Sequence, residues 1–447
     1  MTSVHSPSRR RILALAPAAA LVLALTACGS DGGSPSEGAA DPAKALDTPT
    51  TLTFWTWAPN LDKTVALFEQ KYPKIKVEIV NAGQSAAEYT KLQTAVKAGS
   101  GGPDVVQVEY FALPELAQSK RLVNLKDYGA AALESKFTSS AWSQVTVNGG
   151  IYAVPQDTGP MAMFYNKKLL DELHIEPPKT WAEFETAAAK IKESAPDRYI
   201  TSIDPGDAGG LDSLMWQAGS RPFQQKGETG VGVDLQDPGA KKVADLWTSL
   251  VDRKLVDTAP GWTNEWWQSM NSGRYAMWII GAWAPGNIAS TIPTTAGNWR
   301  AAPMPQWNAG DDVTAENGGS AVAVPTTSKN KAAAAAFATW LNSDPQAVRS
   351  LNANGLFPAT TELLKDPAFL DRPVDALGGQ QANQVFAASS ASVGKGWQYL
   401  PFQVYANSVF KDTVGQSFTS GINGGLTAWQ KRITEYGNQQ GFKVTAP

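Results

Sequence analysis

A chain of 447 residues is longer than one hydrophobic core normally supports, so two folded lobes are the default expectation. Its 43% hydrophobic and 18% charged residues are those of an ordinary globular protein, which excludes a disordered or fibrous chain. A formal net charge of -3, with no run of lysine or arginine beyond the N-terminus, offers no footprint for nucleic acid or an anionic membrane surface.

The first 28 residues read as an export signal. "SPSRRRILALAPAAALVLALTAC" joins basic residues (Arg9, Arg10, Arg11) to an apolar stretch shorter than a membrane span needs, with small residues before Cys28. Leu25-Thr26-Ala27-Cys28 resembles a bacterial lipobox, whose cysteine receives a diacylglyceryl group before cleavage makes it the new N-terminus. Two acyl chains suffice for stable anchoring; the alternative is an ordinary signal peptide with a chance cysteine. The adjacent arginines leave Sec and twin-arginine export both open. Cys28 is the only cysteine, so the body has no thiol for metal or redox chemistry. Residues 29–50, "GSDGGSPSEGAADPAKALDTPT", are expected to be a flexible tether.

The body opens on alternating strands and helices. "TLTFW" is a short β-rich run, and Asn60 can cap a helix that ends at Tyr72-Pro73. "KIKVEIV" alternates as a strand, and Ser85 with Glu88 has the spacing of a capping box for a helix closed by Gly99. "PDVVQVE" is a third strand, followed by a helix over 113–118. Three βα units in succession predict a parallel, doubly wound sheet, whose ligands sit beyond the carboxyl ends of the strands. Trp55, Trp57, Asn81, Gln84, Glu109 and Tyr110 fall at those ends; a strand aromatic such as Trp55 is more often core.

"GIYAVPQDTGPMAMFYNKKLLDEL" predicts a turn, a strand, a polar break at Gln156-Asp157-Thr158, a second strand and a helix. "TWAEFETAAAKIKE" starts at a second capping box, Thr180 with Glu183, and a change of lobe fits here. In "PGWTNEWWQSM", Thr263 or Asn264 is the expected N-cap of a helix that ends near Ser272 with Gly273 as its stop. Met270 lies four residues from Trp266 and three from Trp267, so at least one of these indoles is expected in the core. Trp262, outside the helix, is the first candidate for a ligand surface and Trp267 the second. "RYAMWIIGAWAPGNI" reads as a buried strand running into a turn, and "ENGGSAVAVP" as a Gly-rich entry to an apolar strand before an alanine-rich helix.

Little in the body suggests catalysis. Its single histidine, His174, stands alone, no nucleophile elbow is present, and "GSGGP" and "NGG" lack the context of a phosphate loop. No His, Cys or carboxylate group has metal-ligand spacing, so no cofactor is expected. A carboxylate pair, as in glycoside hydrolysis, remains as the enzymatic alternative. Aromatic residues are abundant: 16 Trp and 11 Tyr, many beside Asn, Gln, Asp, Gly or Pro in "FWTWAPN", "PGWTNEWW", "GAWAPGN", "PQWNAG" and "GKGWQYLPF". An indole offers a broad apolar face that suits the C–H face of a sugar ring, although any one Trp can equally be packing a core or a lobe interface.

These stretches, in order, resemble the extracellular solute-binding proteins of bacterial ABC importers, in the branch of the maltose and oligosaccharide binders. The resemblance rests on "TLTFWTW", "LFEQKYPKIKVEIV", "LQTAVKAGSGGPDVVQV", "YAVPQDTGPMAMFYNKKLLDE", "PPKTWAEFETAAAKI", "MNSGRYAMWIIGAW", "NGGSAVAVPTTSKNKAAAAAFATWL" and "NANGLFPAT", and covers essentially the whole chain after the tether. It implies an α/β fold of two lobes, each a doubly wound, mostly parallel sheet, joined by three hinge crossings with the ligand cleft between them. The crossings are expected near 156–160, 304–307 and 355–358, giving one lobe of 50–157 plus 306–356 and a second of 158–305 plus 357–447. The family's ligand contacts fall at Trp57, Gln84, Glu109, Asp157, Trp283, Asn317, Gly318, Gly319 and Trp397, with Trp216 and Arg221 weaker candidates. The implied partners are a di- or oligosaccharide and permease subunits with a cytoplasmic ATPase; the membrane is met only through the lipid anchor, and the protein is expected to be a monomer. "WAPN" stands where maltose binders carry a charged pair, which argues against maltose itself. A secreted carbohydrate-active enzyme, glycosidase or lyase, and a cell-wall carbohydrate-binding module are the competing readings.

Overall fold

The computed structural model describes residues 41–446; Cys28, the expected export signal and the first part of the expected tether lie outside the described residues. The described end of the tether is already structured. Pro42–Ala45 form one helical turn capped by Asp41, whose carboxylate accepts the Ala43 N–H at 2.9 Å, and Ala45 and Leu46 pack against the first core. Leu46 gives this segment an apolar side chain to bury.

The first part alternates as expected. Strand β1 (Thr50–Trp55) leads to helix α1 (Asp62–Lys71), β2 (Ile75–Val80) to α2 (Ala86–Ala98), and β3 (Val105–Glu109) to α3 (Leu113–Gln118). Leu52 and Phe54 of β1 and Ile75 and Val77 of β2 are buried on alternate positions, the two-residue period of a strand. The start of α1 differs from expectation: Asn60 takes a left-handed turn at φ +58° and the helix begins behind Leu61 with no side-chain cap. Ser85 also has a positive φ and makes no capping bond, while Glu88 is completely buried instead of reaching back to it.

Strand β4 (Ala153–Asn166) organises the rest. After it come α4 (Trp181–Ser194), α5 (Ala208–Gln217), α6 (Pro238–Asp252), α7 (Asn264–Asn271), β5 (Met277–Gly281), α8 (Ala284–Thr291), β6 (Trp299–Ala302), β7 (Glu316–Ala323), α9 (Lys331–Ser343), α10 (Gln403–Ser408) and α11 (Ile422–Gln439). The strands form one seven-stranded sheet in the order β6-β4-β7-β3-β1-β2, with β5 also on β4. Within this sheet, parallel pairing is confined to β2-β1-β3. β7 runs against both β3 and β4, and β5 and β6 run against β4. The expectation of mostly parallel pairing therefore holds for the first three strands only. β4 carries the chain out of one half of the sheet and β7 brings it back along the same line, which reverses its direction.

Residues 153–160 of β4 pair with β7, and residues 161–166 pair with β5 and β6. Around the first half lies a core built on Phe54, Phe68 and Phe337, whose rings meet edge to face at 5.5 and 4.9 Å. In the second half successive β4 side chains go to opposite faces: Met161 and Met163 join one core with Trp181, Trp216 and Trp429, and Ala162 and Phe164 join another with Trp278 and Trp299. Burying a side chain of this size contributes roughly 1.5–3 kcal/mol, so this alternation fixes the register.

Caps in the second half follow the sequence more closely. Thr180 accepts the Glu183 N–H at 3.1 Å, and Glu183 reaches back to the Lys179 N–H at 2.7 Å. Thr263 accepts the Trp266 N–H at 3.1 Å at the head of α7, and Gly273, at φ +73°, follows its C-cap Ser272.

Candidate functional site

The two halves of the sheet meet around a polar cavity of about 280 Å³. One wall comes from the β3–α3 turn (Glu109, Tyr110, Phe111) and Ser85; the other from the head of α5 (Asp207 to Ser213), with Tyr399 and Asn407. Asn317-Gly318-Gly319, within β7, lies where the walls join.

Glu109 ends β3. The Tyr89 hydroxyl donates to its carboxylate, and its own backbone N–H donates to that hydroxyl at 2.9 Å. Burial, with the nearby Asp157 charge adding to it, raises the Glu109 carboxyl to about 7 despite these bonds. Asp157 accepts the Ser320 N–H at 2.8 Å and the Ser320 hydroxyl, and burial raises it to about 6. Ser320 also accepts from the Gln107 amide at 2.9 Å. The Gln107 carbonyl oxygen in turn accepts the Thr56 hydroxyl at 2.6 Å and the Trp57 N–H at 3.3 Å. A buried glutamine thus ties the loop after β1 to β7.

The Asn-Gly-Gly segment is shaped by close approach. Gly319 has φ +97°, and a Cβ there would lie 2.6 Å from the Tyr110 ring. Across from it, a Cβ on Gly159 would lie 1.9 Å from the Asn317 carbonyl oxygen. That oxygen accepts the Trp283 indole N–H at 2.8 Å, while the Asn317 side chain donates to Ser213 at 3.2 Å. Ser213 donates to the Glu316 carbonyl at 2.8 Å, so α5 is bonded directly to the β7 crossing. Glu316 itself is buried, accepts from the Ser140 hydroxyl at 3.0 Å and the Gly159 N–H at 2.8 Å, and is raised to about 7 by that burial.

Beside this cavity stands a cluster of five indoles: Trp262, Trp266, Trp267, Trp278 and Trp283. Trp266 and Trp278 are its buried members, 4% and 6% exposed; the Trp266 N–H donates to the Ser202 hydroxyl at 2.7 Å, and its ring packs with Met270. Trp267 and Trp283 are half-buried. Trp262 is 50% exposed and lies 5.7 to 6.1 Å, centroid to centroid, from the other four. Its φ of +65° is a conformation that costs a bulky residue roughly 1 kcal/mol or more. A small space of about 70 Å³ beneath it is lined in part by Asp207, which also lines the larger cavity.

Glu109, Asn317, Gly318 and Gly319 therefore line the cavity, Asp157 stands behind it through Ser320 and Tyr110, and Trp283 holds the Asn317 carbonyl. Trp57 is half-buried in the loop after β1, and Gln84 is exposed next to Ser85; neither lines the cavity. Trp397 lies in the second core at 3% exposure, stacked on Trp216 at 5.2 Å and 5°. The residue of its segment that reaches the cavity is Tyr399. Asp207, Asp212, Ser213, Tyr399 and Asn407 were not singled out by the sequence. The one available signal was Asp207 before Ala-Gly-Gly, an N-cap pattern: its carboxylate accepts the Gly210 N–H at 2.9 Å.

Sequence and structure comparisons agree on what kind of molecule this is. The ABC transporter associated binding protein from B. animalis subsp. lactis Bl-04, solved in complex with β-1,6-galactobiose, is 39% identical, with a TM-score of 0.79 over 88% of this chain and 99% of that one. The galacto-N-biose/lacto-N-biose I-binding protein from Bifidobacterium longum, solved with lacto-N-biose, is 28% identical, with a TM-score of 0.78 over 88% of this chain and 98% of that one. The arabinooligosaccharide-binding protein of Halalkalibacterium halodurans is 24% identical over 72% of this chain and 74% of its own length. These likenesses carry the two-lobed periplasmic-binding-protein fold to this chain. The profile of the bacterial extracellular solute-binding proteins matches residues 50–348, and the chain belongs to that family.

Proposed function

We propose that this protein captures a neutral di- or oligosaccharide between its lobes by aromatic stacking and hydrogen bonds, and delivers it to the permease of an ABC importer driven by a cytoplasmic ATPase. It works outside the cytoplasmic membrane as a monomer anchored through lipid on Cys28, binding without turnover. Residues 50–157 with 306–356 form one lobe and 158–305 with 357–447 the other, and the cleft closes on the ligand.

Trp262 carries this reading. A half-exposed indole held in a left-handed backbone conformation, backed by four other indoles over a small space that shares Asp207 with the larger cavity, is a platform kept at the cost of local strain. Such a surface suits the apolar face of a pyranose, and Glu109, Asn317 and Asn407 supply hydrogen-bonding groups for its hydroxyls. The solved relatives at 39% and 28% identity hold disaccharides, which favours binding over cleavage.

The test is a melting-temperature screen against β-1,6-galactobiose, lacto-N-biose, lactose and arabinooligosaccharides, followed by calorimetry on Trp262→Ala. At least one sugar is expected to raise the melting temperature without being shortened. Loss of one stacking platform is expected to weaken its binding by about 1–3 kcal/mol, roughly tenfold to a hundredfold. A screen with no shift, or release of shorter sugars, refutes the reading.

A further inference from the structure

Asp212 has no assigned task, and its surroundings are unusual. It sits on α5 at 3% exposure and lines the cavity. One carboxyl oxygen, Oδ2, accepts from the Gln403 amide at 3.2 Å. Gln403 is itself completely buried and held at both ends: its amide also donates to Asn407 Oδ1 at 3.0 Å, and its carbonyl oxygen accepts the Leu400 N–H at 3.1 Å. The other oxygen, Oδ1, has no hydrogen-bond partner among the described residues. Among the described residues, no lysine, arginine or histidine lines the cavity. A buried acceptor without a protein partner, on a residue that lines a cavity, is costly unless whatever fills the cavity supplies one.

Building on the saccharide reading above, we infer that Asp212 is a ligand-recognising residue of the second wall, exchanging hydrogen bonds with a sugar hydroxyl, and that Gln403 is the positioning residue that aims it. The chemistry is matched. Burial, reinforced by the Asp207 charge, pushes Asp212 well above the usual carboxylate range, which favours its protonated form. A neutral carboxyl both donates and accepts, as does a hydroxyl. With Oδ2 fixed by Gln403, the Asp212 side chain is held in one orientation on the wall opposite Glu109, with Oδ1 buried and unbonded. Asn407, held by the same Gln403 amide and lining the same cavity, places a second polar group beside it.

The full-length protein would be titrated calorimetrically with whichever sugar of the screen above binds, as wild type, Asp212→Ala, Asp212→Asn, Asp212→Ser and Gln403→Leu. Asp212→Ala and Asp212→Ser are expected to lose about tenfold to a hundredfold in affinity, the range for a buried polar partner left unpaired. Asp212→Asn, which also donates and accepts, should stay within about threefold of wild type. Gln403→Leu should fall between, with Asp212→Ala adding little on top of it. Melting temperatures of the sugar-free variants separate a folding role from recognition, and Asp212→Ser keeps the test open should the alanine variant fail to fold. Asp212→Ala or Asp212→Ser binding within twofold of wild type overturns the inference and leaves Asp212 as a structural partner of Gln403. If wild type binds none of the sugars, the saccharide reading fails and this inference falls with it.

Discussion

Replacing Gly159 with alanine tests the architecture of the crossing directly. Gly159 lies in β4 just before its partners change, and its N–H donates to the Glu316 carboxylate at 2.8 Å. A methyl group there would lie 1.9 Å from the Asn317 carbonyl oxygen and 3.1 Å from the Trp283 indole nitrogen, so backbone rather than a flexible side chain has to yield. Overpacking of this kind costs typically 1–3 kcal/mol. Displacing the Asn317 carbonyl also weakens the 2.8 Å bond from Trp283, worth about 1 kcal/mol. Together, Gly159→Ala is expected to destabilise the protein by about 2–4 kcal/mol, measured by chemical denaturation, and to weaken sugar binding because Asn317 moves. Gly286→Ala is the control: it lies within helix α8 with open space around it, and gains roughly 0.5–1 kcal/mol from helix propensity. A Gly159→Ala protein within about 0.5 kcal/mol of wild type would show that β4 and β7 are not held as closely as described.

Two further substitutions probe other elements. Glu88 is completely buried with neither carboxyl oxygen bonded among the described residues, and burial, with Glu109 adding to it, raises it to about 8 from 4.5. The folded form keeps this proton up to about pH 8 while the unfolded chain releases it near 4.5, so stability falls as pH rises between those values, by at most about 1.4 kcal/mol per pH unit. Glu88→Gln should remove that component of the slope in denaturation curves taken from pH 5 to 9; an unchanged slope counts against a buried, proton-holding Glu88. Thr263→Ala removes the cap on α7 and should cost about 1 kcal/mol in the same assay, and no loss would mean the Trp266 N–H finds water equally well.

What could be read in advance was what local chemistry decides. The βα alternation of residues 50–118, the Thr180 and Thr263 caps and the burial of one of the two adjacent indoles follow from periodicity and capping. Where tertiary partners decide, the same patterns mislead. Ser85-x-x-Glu88 has the spacing of a capping box, yet Glu88 is drawn into the interior beside Tyr89 and Glu109. Trp397 and Tyr399 belong to one aromatic segment, but the stacking surface of Trp216 takes the first and leaves the second to the cavity. Asp212 had no local signature at all, because its meaning comes from Gln403, 191 residues away. The reversal of β7 likewise depends on where the chain crosses, which no window of residues encodes.

The long strand β4 has a mechanical consequence. Its residues 156–160 are laced on one side to β7 at Ser320 and on the other to the segment at Phe357-Pro358, where the Thr158 N–H donates to the Phe357 carbonyl at 3.0 Å and Asp157 bridges to Pro358. Two strands and a bridged segment bonded edge to edge resist shear and stretching, since either would break several backbone bonds at once. They yield most easily to twisting about their common direction, which changes each dihedral angle slightly and breaks none. Segments bonded in this way have the mechanics of a torsion bar, stiff along their length and softest about it.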